Sequence, residues 1–138
     1  MSGFRGQMIG VLASYARAIT IGREDIVIVR AWHATATAEG ADAYREHFTR
    51  AVLPVLQPID GYHGAWLLRH DHDGHVELQV LTMWDSLEAI SRFAGADLHR
   101  AVVEPDAQAA LASYDTTVTH HSIVVDTVSA ATNARTDQ

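Results

Sequence analysis

Histidine is the side chain whose proton affinity falls in the working pH range, and three of the nine here stand where an imidazole can enter a pocket: His47, His63 and His120. His47 follows Tyr44 by three residues and precedes Phe48, so on a helix Tyr44 and His47 share a face. His120 neighbours His121, and in a regular strand one of the two must point inward. His120 is taken as the inward one. His63 opens a strand with the parity expected to face the helices. Tyr44, Phe48, Trp84 and Phe93 offer aromatic walls for a planar ligand, with Arg69 as a charge of the same parity as His63. Plainer readings stand beside these. Tyr44 and His47 suit a helix edge with wet polar tips, His120 a histidine packed within the sheet, Trp84 a core plug, and Arg69 a solvated cation near a hairpin tip. Asp71-His72-Asp73-Gly74-His75 has the residue types of a metal site, but two surface histidines opposed across a turn rarely make a dedicated one. No metal is expected.

With 138 residues, 48% apolar and 20% charged, the chain has material for one ordinary domain. Ten basic residues against 17 acidic ones give a net charge of −7, and no basic stripe gathers to neutralise phosphates. Nucleic acid is therefore not an expected partner. The absence of cysteine removes disulfides and thiolate chemistry. Residues 8–16 form an apolar run well short of the roughly 20 residues that a membrane span needs, with a poor cleavage-site pattern behind it. No membrane association is expected, and a cytoplasmic location is the reading. Residues 1–24 are read as an N-terminal extension with Met8, Leu12, Tyr15 and Ile19 at helical spacing. Residues 25–127 are the domain, and residues 128–138 a polar tail.

The elements that must position the candidate residues follow from periodicity. Residues 26–32 are rich in β-branched side chains and predict a strand; residues 41–57 carry apolar residues at helical spacing, with Pro54 expected to kink or end the helix. Ile59-Asp60-Gly61 reads as a turn into a strand over 62–70. Asp73-Gly74 then predicts a two-residue hairpin turn into a strand over 76–84. That turn sets Arg69 opposite Leu78, His70 opposite Glu77 and Trp66 opposite Leu81. Asp85 or Ser86 caps a helix over 87–93 that Gly95 breaks; residues 104–114, opening near Pro105, predict another helix. A last strand is predicted over 118–126, with Ile123-Val124-Val125 as its apolar end. Strand, helix, strand, strand, helix, strand is the ferredoxin-like split β-α-β order of an α+β fold.

In that topology both helices cover one face of the sheet. Ala65, Leu67, Arg69, Val76, Leu78, Val80 and Thr82 are assigned to the helix side. The bare face is then assigned Ile26, Ile28, Arg30, Trp32, Trp66, Leu68 and Leu81, with Arg30 and Glu77 as an ion pair. Apolar side chains worth about 1.5–3 kcal/mol each on full burial call for a cover. A homodimer supplies one and makes a dimeric α+β barrel.

Val80-Leu81-Thr82-Met83-Trp84-Asp85-Ser86, with Phe93-Ala94-Gly95 after it, resembles the strand-to-helix junction of antibiotic-biosynthesis-monooxygenase-like proteins. Ile28-Val29-Arg30-Ala31-Trp32 and Gly61-Tyr62-His63-Gly64 are similar to that family's first strand and to the entry of its second. The resemblance spans residues 26–126 and implies homodimeric proteins, among them cofactor-free oxygenases of polyketide aromatics, quinol monooxygenases and haem-degrading enzymes. At the places of the haem-degrading members' strand Asn, helix Trp and ligand His, this chain has Val29, Phe93 and Val103. A haem role is not implied. What remains implied is an apolar pocket for a phenolic, polyketide-like or quinol-type substrate, with a histidine favouring the anion that itself reduces oxygen, and with no cofactor. Two rival readings are kept: a barrel that binds a small molecule as a lyase, an isomerase or a mere shelter, and a domain that only dimerises.

Overall fold

The computed structural model describes residues 27–128. The extension over 1–24, residue 25 at the predicted start of the domain, residue 26 at the predicted start of the first strand, and the tail from residue 129 lie outside the described residues. The central strand β1 is Ile28–Ala36. It runs further than predicted because Ala34 and Ala36 continue its inward row, opposite Leu78 and Val76. Helix α1 (Ala38–His47) starts at Thr37, whose side chain accepts the Gly40 N–H at 3.0 Å. A π-helical turn (Phe48–Val52) follows, then α2 (Leu53–Leu56). Pro54, predicted to kink or end this helix, does neither outright. Its ring cannot accept a regular turn before it, so the chain widens by one residue and the Leu53 N–H reaches back five residues to the Phe48 carbonyl.

Strands β2 (Tyr62–His72) and β3 (His75–Trp84) form the predicted hairpin. Asp73 and Gly74 take φ of 49° and 83°, as a two-residue turn of this kind requires, and Arg69, His70 and Trp66 lie opposite Leu78, Glu77 and Leu81. The register slips between Tyr62 and Gly64, so His63 is the extra residue of a bulge. Helix α3 (Leu87–Ala94) is capped by Ser86, whose oxygen accepts the Ala89 N–H at 3.0 Å, and stops at Gly95 with φ of 86°. Gly61, with φ of 98°, lets the chain enter β2 against α3. A Cβ there would lie 2.5 Å from that of Ala89.

Helix α4 (Pro105–Ala110) is shorter than predicted, since Leu111 is already extended. The last strand is broken in two, β4 (Ser113–Tyr114) and β5 (Thr119–Ser122), both antiparallel to β1. Between them the chain leaves the sheet and pairs with a loop instead: the Ala101 N–H donates to the Thr116 carbonyl and the Val118 N–H to that of His99. Ile123 still reaches Val27, but Val124 and Val125 stand 87% and 75% exposed and do not extend the strand. The sheet order β2-β3-β1, with β4 and β5 on the far side of β1, is that of the ferredoxin-like fold.

One assignment is reversed. Arg30 lies opposite Thr82 and Trp32 opposite Val80, so Ile28, Arg30 and Trp32 belong to the helix-side face; Trp32 is 8% exposed within the core. The Arg30–Glu77 ion pair does not exist, because the two side chains are on opposite faces. Glu77 meets His70 at 3.4 Å instead. The bare face carries Val29, Ala31, His33 and Thr35 of β1 beside Trp66, Leu68 and Leu81 of the hairpin.

Candidate functional site

The reversal turns Arg30 into the centre of a cavity between the sheet and the helices. On adjacent strands Arg30 and Thr82 form its floor, while Tyr44 and Phe48 from α1 and the π-helical turn, Trp32 from β1 and Phe93 from α3 wall it. Its free room is about 50 Å³. Roughly 150 Å³ of apolar cavity holds a benzene, so an aromatic ligand enters only if a wall gives way. Beyond Phe93 and Val102, which belong to both, lies an outer chamber of about 490 Å³ open to solvent.

Arg30 is 5% exposed. It donates to the Leu98 carbonyl at 2.7 Å, the Arg100 carbonyl at 2.9 Å and His120 Nε2 at 3.0 Å, and its guanidinium lies 6.0 Å from the centre of the Phe93 ring. Among the described residues it meets no carboxylate. Burial pulls its pKa down to about 10, so it is still a cation at neutral pH. A buried charge is ordinarily paired, and among the described residues this one is not. Since a guanidinium can only donate, His120 Nε2 accepts, which leaves the imidazole proton on Nδ1. Burial first, then the charges of Arg30, His99 and His121, hold the His120 pKa below the usual histidine value.

Tyr44 is 5% exposed, and its hydroxyl has no hydrogen-bond partner among the described residues. Burial, and secondarily the nearby Glu104 carboxylate, push its pKa up, so it stays a proton donor. Thr82 Oγ1 accepts the Trp84 Nε1–H at 2.8 Å, which leaves the threonine proton to give. Three donors therefore line an otherwise apolar cavity, an arrangement that complements an oxyanion on a flat, greasy molecule.

Of the residues singled out in the sequence, Tyr44, Phe48 and Phe93 line the cavity. His120 stands behind it through Arg30. His47 sits at its edge, with its ring 6.0 Å from that of Tyr44 and its Nε2 3.1 Å from Glu104 Oε1. The other three are elsewhere. The bulge turns His63 to Asp85 at 3.7 Å, off the helix-facing row. Arg69 bonds Asp71 at 2.8 Å and Asp42 at 3.2 Å, tying the hairpin to α1. Trp84 is fully buried beneath the cavity, with Phe93 stacked at 6.3 Å and the edge of Tyr62 at 5.5 Å. Arg30, Thr82, Trp32 and Glu104 were not singled out as site residues. The available signal was a lone arginine interrupting an apolar central strand.

Comparison with known proteins gives the relationship. No curated protein matches the chain. Among solved structures, a Bacillus cereus protein described as a candidate antibiotic biosynthesis monooxygenase aligns with a TM-score of 0.55 at 16% identity, over 75% of this chain and 98% of its own. An uncharacterized NIPSNAP-like domain protein from Burkholderia xenovorans aligns at 18% identity over 74% of this chain and 87% of its own; its TM-score of 0.43 is too low to bear on the fold. The sequence model of the antibiotic biosynthesis monooxygenase family matches residues 26–105, more than half of the chain, so the protein belongs to the antibiotic biosynthesis monooxygenase family.

Proposed function

We propose that the protein is a cofactor-independent, monooxygenase-like enzyme that oxidises a phenolic, polyketide-like or quinol-type small molecule, in a cytoplasmic setting. The observation that carries this reading is the buried Arg30 cation, which meets no carboxylate among the described residues, facing an apolar cavity beside the donors Tyr44 and Thr82. An anionic oxygen of the substrate supplies the missing countercharge. The ionised substrate gives one electron to dioxygen, and the resulting carbon radical and superoxide combine into a peroxide. At a methylene carbon, loss of water from that peroxide leaves a carbonyl, so one oxygen atom enters the product and the other leaves as water. The substrate supplies all four electrons that dioxygen takes up, and no reductant is needed. Tyr44, kept protonated by burial, and Arg30 stabilise the charge; Glu104 with His47 is the nearest acid–base pair at the cavity edge. His120 then acts by positioning Arg30 rather than as the base.

The test is oxygen uptake with a panel of hydroxylated anthrones and quinols, with and without air. Substrate-dependent uptake and a product carrying one atom of labelled oxygen are expected. A compound that binds at the cavity and is never oxidised would abandon the oxygenase reading in favour of a small-molecule-binding barrel, which the small size of the inner room favours over a polycyclic substrate.

The reading includes a homodimer that closes the bare face, where Trp66 is 51% and Leu68 41% exposed. Trp66→Ser is expected to weaken self-association by about 2 kcal/mol, or roughly 30-fold, as removal of an interface aromatic does. Sedimentation over a concentration series measures it. A parent chain that is monomeric at micromolar concentration would sink the barrel.

A further inference from the structure

The outer chamber is separate from the oxyanion cavity, and its polar equipment is unexplained by chemistry at Arg30. Its wall includes Arg100, Glu104, Gln108, Tyr114 and Thr116, and it meets the inner cavity at Phe93 and Val102. Arg100 is fixed by its backbone: its N–H donates to the Asp97 carbonyl at 3.2 Å, its own carbonyl accepts from Arg30, and it bridges to Thr117. Its guanidinium, by contrast, makes no hydrogen bond or ion pair with any described residue. The other charge on this wall, Glu104, is already engaged by His47. The Gln108 amide donates to the Val103 carbonyl at 2.8 Å, which keeps that side chain against the wall.

We infer that the outer chamber binds the carboxylate tail of an elongated substrate whose phenolic head lies in the inner cavity, and that Arg100 is the specificity-determining residue that pairs with that carboxylate. The inference rests on the reading of the inner cavity as a phenolate site. Arg30 donates to the Arg100 carbonyl at 2.9 Å, so the backbone that carries the arginine of the tail site is held beside the head site. A substrate of this class is an aromatic with an acidic hydroxyl at one end and a carboxylic acid on a side arm. Phe93 and Val102 line both cavities and so form the neck between the two.

Calorimetric titration of the full chain tests this with three probe types: a naphthol, naphthols bearing a carboxylate on arms of graded length, and the matching carboxamides. The carboxylate of best length is expected to bind about fivefold more tightly than its amide, as one partly exposed ion pair allows. In Arg100→Gln, whose altered side chain is solvent-exposed and leaves the backbone contacts in place, that preference should vanish while naphthol affinity is kept. Arg30→Met should weaken all three probe types and retain the carboxylate preference. Equal binding of acid and amide by the parent chain, or a preference that survives in Arg100→Gln, overturns the tail site and leaves the phenolate reading standing. Binding of no probe at all overturns both.

Discussion

Arg30→Met is expected to lower kcat/KM for a phenolic substrate about 10²–10³-fold, the usual cost of removing one donor from a developing oxyanion. The same variant should lose the spectral sign of a bound phenolate. An opposite charge within a few ångströms lowers the pKa of an acid by about 1–3 units, so a nitrophenol bound beside Arg30 should ionise at a lower pH than it does in water. With methionine there, burial alone acts on the phenol and the shift should reverse. Methionine fills a similar volume and removes the desolvation cost of an unpaired cation, while the carbonyls of Leu98 and Arg100 and His120 Nε2 lose a donor. These changes oppose each other. Stability should stay within about 2 kcal/mol of the parent, so denaturant unfolding separates loss of chemistry from loss of fold. Arg30→Lys keeps the charge but cannot fork to three acceptors, and should fall between parent and methionine. An Arg30→Met chain that oxidises its substrate at the parental rate would remove the basis of the proposed mechanism.

Trp84→Ala should cost about 3–5 kcal/mol of stability, the range for emptying a large aromatic from a packed core. The residue is fully buried, with Phe93 and Tyr62 packed against it, and its Nε1–H is the donor to Thr82. At about 4–8 °C per kcal/mol for a domain near this size, the melting temperature should drop by at least about 12 °C. If Trp84 were instead a substrate wall, truncation would raise KM and leave melting nearly unchanged. Thermal unfolding with KM measured on the same sample distinguishes the two.

The hairpin was legible because its information is local. Asp73-Gly74 permits positive φ, and the turn then sets every pair from His72 opposite His75 to Ala65 opposite Thr82. The order of elements and the capped helix after Ser86 were legible for the same reason. The facing of β1 was not. Both of its rows are apolar, so periodicity could not choose between them, and the drier row of the hairpin did not tell which row of β1 shares its face. What brings Arg30 inward is non-local: the carbonyls of Leu98 and Arg100 and the ring of His120 are 68, 70 and 90 residues away in sequence. The end of the last strand was misread because Ile123-Val124-Val125 has strand composition, whereas strand formation depends on a partner, and the last ladder bond joins Ile123 to Val27. In the site, the aromatic walls were visible as helical spacing. That Arg30 faces the cavity, with His120 bonded behind it, could be read only from the register of β1 on β3.

Pro54 is exposed, outside the cavity, yet it governs which side chains the cavity has. Along an ordinary helix, residues four apart drift sideways by about 40° each step, so Tyr44, Phe48, Val52 and Leu56 would fan away from a common line. The widened turn that this imino acid forces just upstream winds back the other way, and all four meet the same chamber. The shape of the room is thus written partly in a residue that no ligand touches. Among relatives, gain or loss of a proline at this one step would remodel the wall as a block, exchanging several contacts in a single substitution.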